Sequence, residues 1–433
     1  MKPAGSAMRK DALGGQILIG CGAAAAVIAI LSIFTPSQPQ FNDSVWYVRM
    51  ATEGVTADVR LAAPFAYRPA VPLIVHLLKV GFALPIESGF ALLSRLGAVA
   101  LLALSFMLAR RQGAGNLSSL CVVACIGFSF FHVKYALAAE SMVDIEAAPL
   151  MVAAVWAVLE RRYLWCLAIS SLGLFFKEFL AIPLAVTFVA LLHEYAVERT
   201  TRTLALAVAA AVCFGLFFVL PRYLIPVEGL FGDMSMWMPE DRQHMNYMAN
   251  LKRLLPNPFD PFRLTNLVFV TLSYWLPALM LLTQRRARSL WVALEGNRAI
   301  LGGVFLLVLC LSAVGGTNQM IFITYSAPVL VVVLAALLRQ NPHPVEIIVM
   351  LCAVLLFNRF WMAIPSFTRE FGRAMDMYGG WSTRINEALL FRSIELAGYL
   401  VLAATIRFLT GNRIAQPEAS SKAQRDGDAA DIM

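Results

Sequence analysis

Charge is what this chain has least of. Only 14% of its 433 residues are Asp, Glu, Lys or Arg, against about 25% in an ordinary globular domain. That is too little to cover a water-facing surface. A GxxxxGK[ST] phosphate loop is missing, and so is any extended polar domain that would hold a nucleotide, so neither ATP-driven transport nor soluble-type transfer from a nucleotide sugar is supported. There are no ten-residue segments of alternating polarity, which excludes an outer-membrane type of barrel. Cysteine is sparse and odd in number: seven, almost all within apolar runs, imply no disulfide framework. Cys121 and Cys125 fall on one helix face without His or acidic companions and read as packing residues rather than metal ligands.

Apolar residues fill the space that charge leaves. They make up 59% of the chain, and the mean hydropathy is +0.71. Segments this apolar must satisfy their own backbone hydrogen bonds in lipid, so the expected fold class is all-α, a polytopic transmembrane helical bundle. The formal net charge of +8 would suggest nucleic acid in a soluble chain. Here Lys and Arg cluster at the ends of apolar runs, which is a topology signal and not a nucleic-acid one.

Twelve runs qualify as spans: 16–34, 88–109, 117–132, 147–159, 164–176, 179–192, 204–220, 266–282, 299–314, 320–338, 345–364 and 388–409. The first follows Lys2, Arg9 and Lys10 without a small-x-small cleavage site, so it reads as an uncleaved span with a cytoplasmic start. The run after Tyr67-Arg68-Pro69 is short and carries His76 and Lys79, and it reads as a helix along the outer interface. Treating it so keeps Arg110 and Arg111 inside. Short spans such as 164–176 imply local thinning or tilt.

The expected organisation is a membrane domain over 1–414 with both termini cytoplasmic. It has a first outer loop at 35–87, an outer lid loop at 221–265 and an outer interfacial segment at 366–387. Residues 415–433 read as a disordered cytoplasmic tail.

The residues nominated for chemistry sit where lipid gives way to water. Asp43 follows the breakers Pro36 and Pro39 and precedes Trp46 and Tyr47, a place for a general base with aromatics to stack on a sugar ring; its other reading is a helix cap for Ser44. Arg68, held before Pro69, can fork onto a lipid phosphate or simply snorkel to headgroups. Lys177 and Glu178 stand isolated between apolar runs, either as a phosphate contact with its orienting acid or as a structural ion pair. Glu140 and Asp144, four apart, would share one helix face and converge with Asp43 around an acceptor hydroxyl or a cation, or else form a solvated face. No ligand spacing demands a metal, although a divalent ion is compatible with these acids. His132, His244, Arg222 and Arg359 read as interfacial anchors.

Together these residues resemble the GT-C class of integral membrane glycosyltransferases, which includes bacterial aminoarabinose transferases and protein O-mannosyltransferases. The resemblance covers about the first 190 residues. It rests on Asp43 with Tyr47, Arg68 with Pro69, Glu87 with Arg95, the LARRQGAG ending of the second span, and the later AAESMVDIEAAPLMVAAVWAVLERRYLWCLAISSLGLFFKEFLAIPLAV with its Lys177-Glu178 pair.

What the resemblance implies is transfer of a sugar from a polyprenyl-phosphate-linked donor to a glycan, lipid or protein acceptor on the outer face of a bacterial inner membrane. Asp43 would act as base with inversion at the anomeric carbon, and Arg68 and Lys177 would steady the departing phosphate. A single Asp43 stands where many members have an adjacent acidic pair, and the acceptor stays open. Two other readings remain: a transporter or lipid-linked glycan flippase without chemistry, and a glycan polymerase or ligase that relies on the 221–265 loop.

Overall fold

A computed structural model of the chain describes residues 10–37, 44–54, 62–225, 229–230, 257, 259–314, 319–364 and 387–414. These are helical almost throughout. The described exception is a two-residue parallel pairing of Ala62 and Ala63 with Gly229 and Leu230.

The helices in chain order are α1 (Lys10–Phe34), α2 (Ser44–Glu53), α3 (Ala70–Phe82), α4 (Ile86–Arg111), α5 (Asn116–Gly127), α6 (Tyr135–Ala138), α7 (Asp144–Leu159), α8 (Tyr163–Gly173), α9 (Ala181–Glu198), α10 (Thr201–Phe214) and α11 (Leu220–Leu224). Then follow α12 (Pro261–Tyr274), α13 (Leu276–Leu281), α14 (Gln284–Ala293), α15 (Arg298–Val314), α16 (Gln319–Ile323), α17 (Ala327–Leu338), α18 (Pro344–Phe357) and α19 (Glu387–Ile414). Each of the twelve apolar runs carries a helix. Among the described residues six helices are long and apolar enough to cross a membrane, or up to eight when two bent pairs each count as one.

Local chemistry sets the boundaries. Asp260 and Thr283 cap α12 and α14 by accepting from the backbone N–H of Phe262 at 2.9 Å and of Arg286 at 3.1 Å. Pro261 and Pro344 occupy the first helical turn, where their missing N–H costs nothing. His343 and Glu346 close a capping box on α18. The α3 helix has 13 residues, short of the roughly 20 that a crossing needs. It buries Val71, Pro72 and Val75 and exposes Leu77, Val80 and Phe82.

Two spans are interrupted. Residues Phe130–Lys134 form a π-helical segment beyond α5, and the chain bends by 48° there. A 3-10 turn at Thr324–Ser326 separates α16 from α17. The Gln319–Leu338 span is central, with 89% of its most apolar window buried, whereas the peripheral Thr201–Leu224 span buries 17% of its own.

The α4 and α7 helices run parallel: Gly97 abuts the backbone of Ile145 and Glu146, and Arg111 Nε donates to Glu160 Oε1 at 2.6 Å further along. A Cβ at Gly97 would meet Ile145 O at 3.1 Å, so glycine is what lets the helices touch. At about 1.5 Å per residue, Arg95 and Arg111 are about 24 Å apart along α4.

That separation divides the polar groups into two layers. One end gathers Arg110, Arg111, Glu160, Arg162, Arg286, Arg339, Glu346 and Arg407, tied by pairs such as Arg286 Nη1 with Glu346 Oε2 at 2.5 Å. The other end gathers Arg68, Arg95, Glu140, Asp144, Lys177 and Glu178.

Candidate functional site

The second polar layer is built from segments that are far apart in the chain. Ala70 N–H donates to Phe175 O at 3.1 Å, which fastens the start of α3 to the segment leading into Lys177. Arg68, 5% exposed, sits just before that junction. Its Nε and Nη2 donate to Glu178 Oε2 and Oε1 at 2.8 and 2.6 Å, and Nη1 donates to the Tyr47 hydroxyl at 2.8 Å. A planar guanidinium satisfies both carboxylate oxygens at once, which a lysine does not do. Burial opposes the charge, yet Glu178, Tyr47 and Asp144 outweigh it and raise the Arg68 pKa well above the ordinary arginine value. Tyr47, wholly buried, stands edge-on to Phe65 at 5.6 Å, and Trp46 stacks on the same ring at 6.3 Å.

Lys177 turns the other way. Its backbone is extended at φ −159° and ψ 141°, so its side chain and that of Glu178 diverge. Lys177 Nζ meets Asp144 Oδ1 at 2.7 Å and lies 5.9 Å from the Phe322 ring. The Tyr325 hydroxyl reaches Asp144 Oδ1 and its carbonyl oxygen, each at 3.3 Å, while its ring stacks on Phe179 at 4.5 Å. Arg222 stacks over Phe218 at 3.9 Å and over Tyr67 at 5.0 Å, near enough for its charge to act on Glu178.

Glu140 belongs to the same layer but to a different partner. Arg95 Nη2 donates to its Oε1 at 2.8 Å, and Ser37 Oγ donates to Oε2. The expectation that Glu140 and Asp144 share one helix face is corrected here. The α6 helix ends at Ala138, and Ala139 leaves helical geometry at φ −115° and ψ 59°. The α7 helix starts afresh at Asp144, so Glu140 lies in the turn before it and the two acids address different cations.

Beside Asp144 lies a cavity of about 10 Å³, room for about one water. His132, Tyr135 and Thr324 line it too. His132 is buried, its Nδ1 is 3.4 Å from the Tyr274 hydroxyl, and its Nε2 has no hydrogen-bond partner among the described residues. Both carboxylate oxygens of buried Glu146, at the start of α7, also lack one among the described residues.

Of the residues nominated from sequence, Tyr47, Arg68, Asp144, Lys177 and Glu178 come together, and Glu140 lies in the same layer. Asp43 lies outside the described residues, as do His244 and most of the lid loop expected at 221–265 (226–228, 231–256 and 258), and all but residue 387 of the interfacial segment expected at 366–387; the tail at 415–433 lies outside them as well. Ser44, which follows Asp43, opens α2 and is fully buried. Two members of the site were not nominated. Arg222 repeats the arginine-beside-proline-and-tyrosine setting of Arg68, and Tyr325 belongs to a polar Thr-Tyr-Ser triplet inside an apolar run, so each left a signal in the sequence. Among the described residues no group of three or more His, Cys, Asp or Glu is placed to hold a metal ion.

Chemically, this is an alternation of cations and carboxylates under an aromatic cover. Arg68 and Lys177 are each engaged by an acid, so an anionic ligand reaches them by replacing a carboxylate. Neither the protein-family models nor the curated proteins compared with the chain give a match.

Proposed function

We propose that the chain is an integral membrane glycosyltransferase of the GT-C kind, with roughly twelve spans and both termini in the cytoplasm. It moves a sugar from a polyprenyl-phosphate donor to an acceptor at the outer face of a bacterial inner membrane. The observation that carries this reading is the convergence of Tyr47, Arg68, Asp144, Lys177 and Glu178 at the end of the bundle opposite the arginine-rich one. The positive-inside rule assigns the arginine-rich end to the cytoplasm, so the site faces outward.

In this reading Asp43 takes the proton of the acceptor hydroxyl as it attacks the anomeric carbon. The bond to the phosphate oxygen breaks on the opposite face, with inversion. Arg68 and Lys177 exchange a carboxylate for a phosphate oxygen and stabilise the departing polyprenyl phosphate. Glu178 and Asp144 hold the two cations in place until then, while Tyr47 and Glu140 shape the acceptor side. The test is transfer from a lipid-linked sugar by purified protein. Asp43→Asn abolishes product while expression and folding persist; undiminished transfer removes the base assignment.

One observation favours a transporter or flippase: the π segment at Phe130–Lys134 and the 3-10 turn at Thr324–Ser326 interrupt two spans beside the cavity that His132 lines. Against it, the ion pairs gather near span ends and not at mid-depth. Substrate flux in proteoliposomes without any transfer product would decide for that reading. A polymerase or ligase would depend on His244 and not on Asp43, so parallel substitutions separate it from the transferase.

A further inference from the structure

The end of the molecule away from the candidate site carries a helix that the proposed transfer does not use. The α14 helix starts at a Thr283 cap and joins α15 through a bend of 109°. Where α15 crosses the bilayer, α14 therefore lies nearly in the membrane plane. One side of it is fixed to the bundle: Arg286 is bound by Glu346 through two contacts of 2.5 and 3.1 Å, and Leu290 packs on the core.

The opposite side faces away from the bundle and has a particular composition. Arg285 and Arg288 are exposed, and about one turn beyond Arg288 along the helix stand Trp291, 64% exposed, and Val292, 66% exposed. Arg298 donates from Nε to Trp291 O at 2.7 Å and lies 4.1 Å over the indole ring, which holds that ring in one orientation. An amphipathic in-plane helix with a fixed indole beside arginines is the arrangement that seats apolar groups at the acyl boundary and guanidinium groups at headgroup phosphates.

We propose that this face of α14 binds anionic phospholipid headgroups of the bilayer itself. Arg285 and Arg288 take the phosphates, and Trp291 and Val292 sit at the acyl boundary. The occupant is a lipid and not a free anion, because the two arginines lie on an open helix face that continues into exposed apolar groups one turn further on. This inference is independent of what the outer site does.

The test is native mass spectrometry of the full chain released from phosphatidylcholine nanodiscs doped with phosphatidylglycerol. The parent protein retains phosphatidylglycerol in preference to phosphatidylcholine. The double variant Arg285→Gln with Arg288→Gln loses that preference, by about fivefold for each arginine removed. Arg202→Gln, which removes an exposed charge at the same end, keeps it. Unchanged melting of both variants in pure phosphatidylcholine discs shows that the fold is intact. Equal retention by the double variant, equal loss in Arg202→Gln, or displacement of the lipid by excess inorganic phosphate overturns the proposal.

Discussion

Arg68 and Glu178, 110 residues apart in the chain, meet in a two-bond fork of 2.8 and 2.6 Å with Arg68 almost wholly buried. A pair so enclosed costs most when it is halved. Glu178→Gln leaves a buried guanidinium without its charge partner and should destabilise the protein by about 3–5 kcal/mol. Replacing both residues by Met should recover most of that loss, since hydrophobic residues of similar volume often substitute for a buried pair. The double variant then separates structure from chemistry: on the proposed function it should melt near the parent yet transfer no sugar. Transfer at the parental rate would show that the pair is structural only.

Tyr47 and Tyr274 provide a contrast within one chemistry. The Tyr47 hydroxyl accepts from a charged guanidinium at 2.8 Å, whereas among the described residues the Tyr274 hydroxyl makes 3.4 Å contacts to His132 and Thr324 O. Tyr47→Phe should cost about 1.5–3 kcal/mol, the range for hydrogen bonds to charged groups, and Tyr274→Phe about 0.5 kcal/mol. Thermal melts of the two variants in one detergent would rank them, and the reverse order would contradict these contacts.

Lys177 and Asp144 should respond asymmetrically. Asp144→Asn strands the buried ammonium beside a neutral amide and should lower stability by about 3 kcal/mol or more. Asp144→Glu keeps the charge and should recover part of it. Equal melting of all three proteins would show that the 2.7 Å pair contributes nothing.

Gly97→Ala places a methyl against backbone, not against a side chain that can turn away. Its Cβ would lie 3.1 Å from Ile145 O and 3.2 Å from Glu146 N and Cα. The α4 and α7 helices must separate, at about 1–3 kcal/mol, and the Arg95–Glu140 contact loosens with them. Gly22→Ala, with no described atom within 4 Å of its Cβ, is the control and should leave the melt unchanged or raise it slightly, since alanine is the better helix former by up to about 1 kcal/mol.

How far the sequence reveals this molecule differs between the frame and the site. Helices form on all twelve apolar runs because lipid solubility and backbone pairing are local demands, readable residue by residue. Partners are another matter. Lys177 and Glu178 read as a couple from their adjacency, but an extended backbone sends them to Asp144 and Arg68 respectively. Glu140 and Asp144 read as one face because four-residue spacing suits a helix, and the break after Ala138 removes that helix. Tyr325 left only a faint polar mark in an apolar run, since a hydroxyl at a 3-10 turn has no spacing rule.

Because Lys177 and Glu178 flank a single peptide bond, their two ion pairs are geared to each other. An anion that draws Arg68 off Glu178 frees a carboxylate on the same strut that carries Lys177, so the grip on Asp144, and with it the first turn of α7, shifts in step. On the proposed transfer, occupancy at one cation would be felt at the other through that one peptide bond.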